Sequence, residues 1–355
     1  MTELLRELVE IESPSGNSEA IRRVGAVVAE RLEALGAVVS FDGDHLQAEL
    51  DGEGEPVLVL GHLDTVWPRG TLAEMPFRIE DGSAFGPGAY DMKAGVVAIL
   101  AALEEARPGH RPVRLFLGAD EETGSLESRP LIERAAEGVA AALVAEPCLP
   151  GGGLKTARKG LGKFYVSVKG IAAHAGTNPG DGASAIEELA RQVLNLHDLA
   201  DEERGISINV GIVEGGTRMN VVAAEAEAQV DVRIRHRADA DGVEDAIMGL
   251  QPELDGTEVH VEGGYTRPPL EPDEATARLV ERARRHARDL GLGELREGAS
   301  GGGSDGNIVG ALNVPVLDGL GPDGGGAHAN DEHVVLASIP QRAALIARLL
   351  EDPGV

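Results

Sequence analysis

Residues 56–65 read PVLVLGHLDT, an apolar run that ends in a glycine, a histidine and, two positions on, an aspartate. The pattern recurs twice. Residues 113–122, VRLFLGADEE, carry an apolar run into three adjacent carboxylates, and residues 141–147, AALVAEP, carry another into Glu146 and a proline. Short aliphatic runs without polar alternation suit strands covered on both faces, which belong to parallel sheets flanked by helices. Helical patterns over residues 93–106 and 127–136 separate the runs. The expected fold is therefore α/β, a mixed but mostly parallel sheet with helices on both faces. Ligands in such sheets sit beyond the carboxyl ends of the strands, where the polar residues of all three runs fall.

Upstream lie two amphipathic helical patterns, residues 3–11 and 18–35, and two strand patterns, residues 37–41 and 46–50. Downstream the rhythm changes. Residues 159–267 give a strand, a helix, two strands, a helix and a strand, the split βαβ order of a self-contained α+β module. The layered pattern then resumes with helices over residues 273–290 and 339–350 and a strand around residues 313–320. A first domain of residues 1–158 and 268–355, interrupted by an inserted domain of residues 159–267, is the expected organisation. A chain of 355 residues also exceeds what one core usually fills.

Singly, the polar residues have ordinary readings. His62 suits a solvated loop, Asp91 in GPGAYDMKAG suits the N-cap of the following helix, and Asp120, Glu121 and Glu122 suit an acidic helix start. Together they suggest more. Successive strands end in His62, in Glu121 and Glu122, and in Glu146; Asp91 lies between, and His328 follows in the glycine-rich GPDGGGAHANDEH. Two histidines and three carboxylates without cysteine form a ligand set for Zn, Mn or Co. With one shared carboxylate, such a set holds two ions roughly 3.5–4 Å apart. Asp64, on the same face of the extended chain as His62, is placed to hold its ring.

Composition narrows the partners. Sixty acidic against 32 basic residues give a formal charge of −28, which repels nucleic acid and anionic membrane surfaces. Cys148 is the sole cysteine, so no intrachain disulfide forms. MTELLRELVEIESPSG has acids where a secretory signal needs basic residues, so a cytoplasmic location is expected. GGGSDGN at residues 301–307 lacks the lysine and spacing of a phosphate loop and is read instead as shaping a substrate pocket through Gly303 and Ser304.

GHLDTVWPRGTL, MPFRIEDGSAFGPGAYDMKAG, DEETGS, AEP, RKG, AAHAGTNPGDGASAI, GGTRMNVV, VDVR, GGGSDGN and GGGAH occur in this order over nearly the whole chain. The set is similar to the M20 family of metallopeptidases, and most of all to its glutamate carboxypeptidase branch. The resemblance implies a zinc-exopeptidase-like catalytic domain and a ferredoxin-like lid and dimerisation domain. It implies His62, Asp91 and Glu146 as ligands of one divalent ion and Asp91, Glu122 and His328 as ligands of the other, most simply zinc, with Co or Mn as substitutes. It makes Glu121 the general base, Asp64 the acid that orients His62, and His174 an oxyanion donor reaching the active site of the partner subunit in a homodimer. Asn220, Arg233 and Arg267 are its substrate-binding candidates. The family's usual glycine pair after DMK is here Ala94-Gly95. The implied reaction is hydrolysis of a peptide or N-acyl amino acid bond beside a free carboxylate. An N-acyl amino acid deacylase of the acetylornithine or succinyl-diaminopimelate type is the rival on the same scaffold, and a non-catalytic metal-binding protein is the rival from another class.

Overall fold

The computed structural model describes residues 1–107 and 109–355, which fall into two compact units, Met1–Arg158 with Leu270–Val355, and Lys159–Pro269. In the first unit two helices, Thr2–Glu10 and Ser18–Ala34, precede the hairpin β1 (Val38–Asp42) and β2 (His45–Leu50), followed by β3 (Val57–His62), β4 (Val113–Gly118) and β5 (Ala141–Val144). The run at residues 56–60 thus extends by two residues, and His62 is itself the last residue of its strand.

The second unit contains β6 (Gly160–Lys169), β7 (Ser207–Gly215), β8 (Glu225–Ile234) and β9 (Glu258–Arg267). They form an antiparallel sheet in the order β7-β8-β6-β9. Phe164, Val166 and Val168 alternate with exposed neighbours along β6, and the buried face packs with Leu189 and Leu196 of one helix and Val243 and Ile247 of another. Helices Ala185–Asp198 and Ala240–Met248 interrupt the strands in the expected order. This unit runs to Pro269, two residues beyond the sequence reading.

Glu188 is a fully buried carboxylate in this unit. It accepts hydrogen bonds from Gln192 Nε2, the Glu253 and Leu254 N–H groups and Thr257 Oγ1, and so fastens the segment before β9 to the first helix. Burial works against its charge, but these donors outweigh burial and hold its pKa below the ordinary 4.5. Because the folded-state value is depressed, the stabilisation is complete above the unfolded value and is lost as pH falls through the folded one. Glu188→Ala is expected to cost about 3 kcal/mol at neutral pH by orphaning buried donors. In urea melts the deficit relative to wild type shrinks below pH 4; a pH-independent deficit refutes the electrostatic account.

After the second unit the chain supplies β10 (Val316–Leu317), completing the larger sheet in the order β1-β2-β4-β3-β5-β10. The strands β4, β3, β5 and β10 are parallel, with the β1–β2 hairpin antiparallel at one edge. Val57 and Val59 join one core, while Leu58 and Leu60 join another on the opposite face. That double burial is why β3 shows no polar alternation. Helix Ala94–Glu105 is buried at every residue from Ala94 to Leu103 and packs against helix Ser338–Glu351. Gly95 permits its close approach to the sheet, since a Cβ there would lie 2.1 Å from the Ala145 carbonyl oxygen. Register aligns His62 with Gly118 and Leu60 with Val144, so β3, β4 and β5 deliver their terminal residues to one edge. Among the described residues, no helix is long and apolar enough to cross a membrane.

Candidate metal centre

The bland reading of Asp91 fails on local geometry. The helix starts at Ala94 with Lys93 at its cap position, and Asp91 lies in the preceding turn with extended dihedrals (φ −112°, ψ 99°). His62 is equally far from a solvated loop residue, being 1% exposed.

The five sequence-predicted ligands meet beyond the strand ends. His62 Nε2 lies 3.3 Å from Asp91 Oδ1 and 3.4 Å from Glu146 Oε1. His328 Nε2 lies 3.4 Å from Asp91 Oδ2 and 3.2 Å from Glu122 Oε2. The two oxygens of Asp91 are thereby divided between two histidines, each accompanied by its own glutamate. Ligand atoms of a tetrahedral site with bonds near 2.0 Å stand about 3.3 Å apart, which these separations match. Among the described residues Glu122 Oε1 is buried without a hydrogen-bond partner, an acceptor of the kind a cation satisfies. His328 adopts a left-handed backbone (φ 62°), uncommon outside glycine and a known mark of functional sites.

The electrostatics agree. Burial disfavours charge on His62, yet Asp64, Asp91 and Glu146 hold its pKa well above the ordinary 6.5. Asp91 and Glu122 raise His328 to about 10. Burial pushes Glu122 up, whereas His328 and His62 overcome burial at Asp91 and hold it far below the carboxylate range. So dense a set of carboxylates calls for positive charge.

Asp64 does more than face His62. The ring Nδ1 is 2.9 Å from the Asp64 carbonyl oxygen and 3.4 Å from its Oδ1. The carboxylate also accepts from the Glu121 and Glu122 N–H groups, each at 3.2 Å, and from Ser15 Oγ at 2.7 Å. It therefore ties the end of β3 to the Glu121–Thr123 turn after β4, where Glu121 is itself buried.

Ser15 was not legible as part of the site, and neither were Arg158, Asp318 and Glu332. Buried Arg158 makes a two-pronged contact with Asp318, at 2.6 and 2.9 Å, and its Nη2 stands 3.5 Å from Glu146 Oε2. Its Nη1 donates to the Gly302 and Gly303 carbonyls. The same network engages Ser304. That residue is fully buried, its N–H donates to Asn307 Oδ1 and its hydroxyl to Asp318, so it caps helix Asp305–Gly310 and its amide is unavailable to a ligand.

The remaining candidates belong to the second unit. His174 Nδ1 accepts from the Gly176 and Thr177 N–H groups, which places the ring proton on Nε2. Asn220 is exposed, with its carbonyl held by Ala175 N–H. Arg233, on β8, is paired with Asp231 at 2.9 Å. Arg267 is buried at the end of β9.

A metal-dependent hydrolase is the class that this fold and site define. Residues 58–352 match the pattern of peptidase family M20/M25/M40, and the chain belongs to that family of metallopeptidases. It is 31% identical over 366 residues to carboxypeptidase G2 from Pseudomonas sp. (strain RS-16), covering 99% of this chain and 88% of that protein. It is 28% identical over 357 residues to the succinyl-diaminopimelate desuccinylase of Stenotrophomonas maltophilia (strain R551-3), covering 92% of each. Among solved structures, the Bacillus subtilis YXEP protein, described as a dinuclear metal-binding M20 peptidase, superposes with a TM-score of 0.70 at 16% identity, covering 98% of this chain and 96% of that one.

Proposed function

We propose that the protein is a two-ion carboxypeptidase-like amide hydrolase acting on a peptide or N-acyl amino acid bond next to a free carboxylate, with C-terminal glutamate as the favoured residue. The observation that carries the reading is the division of Asp91 between His62 and His328, each with a separate glutamate. In this reading His62, Asp91 and Glu146 hold one ion and Asp91, Glu122 and His328 the other, zinc fitting the nitrogen and oxygen donors. The ions supply Lewis acidity, polarising the scissile carbonyl and lowering the pKa of water.

The chain's own residues perform the remaining steps. Glu121 takes a proton from the attacking water and returns it to the leaving nitrogen. Asp64 keeps Glu121 and Glu122 in register with His62 through the two backbone hydrogen bonds described above. The Nε2–H of His174 donates to the carbonyl oxygen as charge accumulates there. Arg233 and Asn220 bind the substrate carboxylate, with Arg233 exchanging its contact with Asp231 for a charge-assisted one. A homodimer through the second unit brings His174 to the partner's site. The edge position of β7, with Ile212 and Val213 exposed, supports such pairing.

The test is hydrolysis of an acyl-glutamate, acetylornithine, succinyl-diaminopimelate and a dipeptide panel by protein loaded with Zn, Co or Mn. We expect two ions per chain, preference for the glutamate-ended substrate and loss of activity on chelation. Fewer than one ion per chain after loading sinks the metallohydrolase mechanism and revives a non-catalytic fold relative. Preference for succinyl-diaminopimelate selects the deacylase reading, which the similarity to the desuccinylase favours.

A further inference from the structure

Glu332 is a heavily engaged carboxylate near the centre that none of these roles uses. It is 1% exposed and lies four positions after His328. Its Oε1 accepts the N–H groups of Tyr90 at 2.9 Å and Asp91 at 3.0 Å. Its Oε2 accepts the Gly88 N–H at 2.9 Å and the indole Nε1–H of Trp67 at 2.6 Å. One side chain thereby joins three segments: the loop after β3 and His62, the turn bearing Asp91, and the loop bearing His328.

The chemistry at this point admits little but a carboxylate. Four donors converge on two oxygens, and only an ionised acid offers acceptors on both. Glutamine would turn an NH2 group against two of the donors. Gly88, with φ 71°, lets the backbone curl so that its N–H faces the acid, and a Cβ there would lie 2.5 Å from Thr65 Cγ2. Because Asp91 lies in non-helical backbone before the helix, its direction depends on what holds this turn.

We propose that Glu332 is a positioning residue for the metal centre, holding the Asp91 turn against the His328 loop so that both oxygens of Asp91 are presented at once, with Trp67 completing the clamp. The proposal rests on the two-ion reading. It assigns Glu332 no contact with substrate or ion.

Trp67 is the sole tryptophan, so its fluorescence reports on the clamp in the intact protein. Metal-free protein is titrated with Zn or Co while emission and bound metal are followed together. We expect the emission of wild type to change in proportion to bound ion. In Glu332→Gln, metal affinity is expected to fall roughly 10- to 100-fold, as for other residues that orient ligands, and kcat to fall at saturating metal while KM holds. Far-UV circular dichroism and the metal-free melting midpoint control for a merely structural effect. Glu332→Asp, retaining the charge, is expected to recover part of the affinity. Metal affinity within twofold of wild type in a folded Glu332→Gln overturns the proposal. So does unchanged Trp67 emission on loading of wild type, which settles the matter even if the variant fails to fold. Wild type that binds no ions overturns the two-ion reading instead.

Discussion

Glu121→Gln is expected to bind its full complement of ions and to turn over about 1,000-fold more slowly than wild type, within the usual range for loss of a general base. Glutamine matches the shape of glutamate and leaves the backbone N–H that Asp64 accepts untouched, so the turn and its neighbour Glu122 stay in place. What disappears is a group able to take a proton from water and hand it to the leaving amine. The measurement pairs metal analysis with kcat on the best substrate of the panel. Activity within tenfold of wild type in a fully loaded variant would falsify the assignment of Glu121.

His174→Ala is expected to reduce kcat roughly 100- to 1,000-fold, the cost of removing one oxyanion donor, with metal content and KM nearly unchanged. The two backbone N–H groups that bind Nδ1 leave Nε2–H as the donor, the tautomer this role requires. The dimer proposal adds a sharper test. When equal amounts of the inactive Glu121→Gln and His174→Ala chains exchange subunits, half of the dimers combine both variants and contain one intact site. Recovery of about a quarter of wild-type activity is expected if the histidine acts across a two-fold interface. No recovery under verified exchange places His174 in its own subunit's site or outside catalysis.

The legible parts of this protein share one property, in that their signal is local. Strand β3 could be read because burial on both faces demands an unbroken apolar run, and its polar terminus followed from the chain direction. The five ligand candidates were visible because each interrupts a pattern: a histidine or carboxylate ends a strand, or stands where glycines leave no packing purpose. Ser304 marks the limit of that signal, because a glycine-rich run looks much the same whether it faces a ligand or starts a buried helix, and the Asn307 and Asp318 contacts are set only in the folded chain.

Residue order and type alone determined the layered α/β architecture, the interruption by an α+β module, and the gathering of histidine and carboxylate candidates at the strand ends. Tertiary structure supplied the distances that the resemblance could not, with Asp91 facing both histidines, Asp64 gripping the turn after β4 and Arg158 braced between Asp318 and Glu146. It also revealed Glu332, whose four donors stand 241 to 265 positions away along the chain. The reason is physical. Periodicity and strand polarity are written in neighbouring residues, whereas a hydrogen bond across such a separation depends on strand register and helix approach, which are set only when the whole core packs.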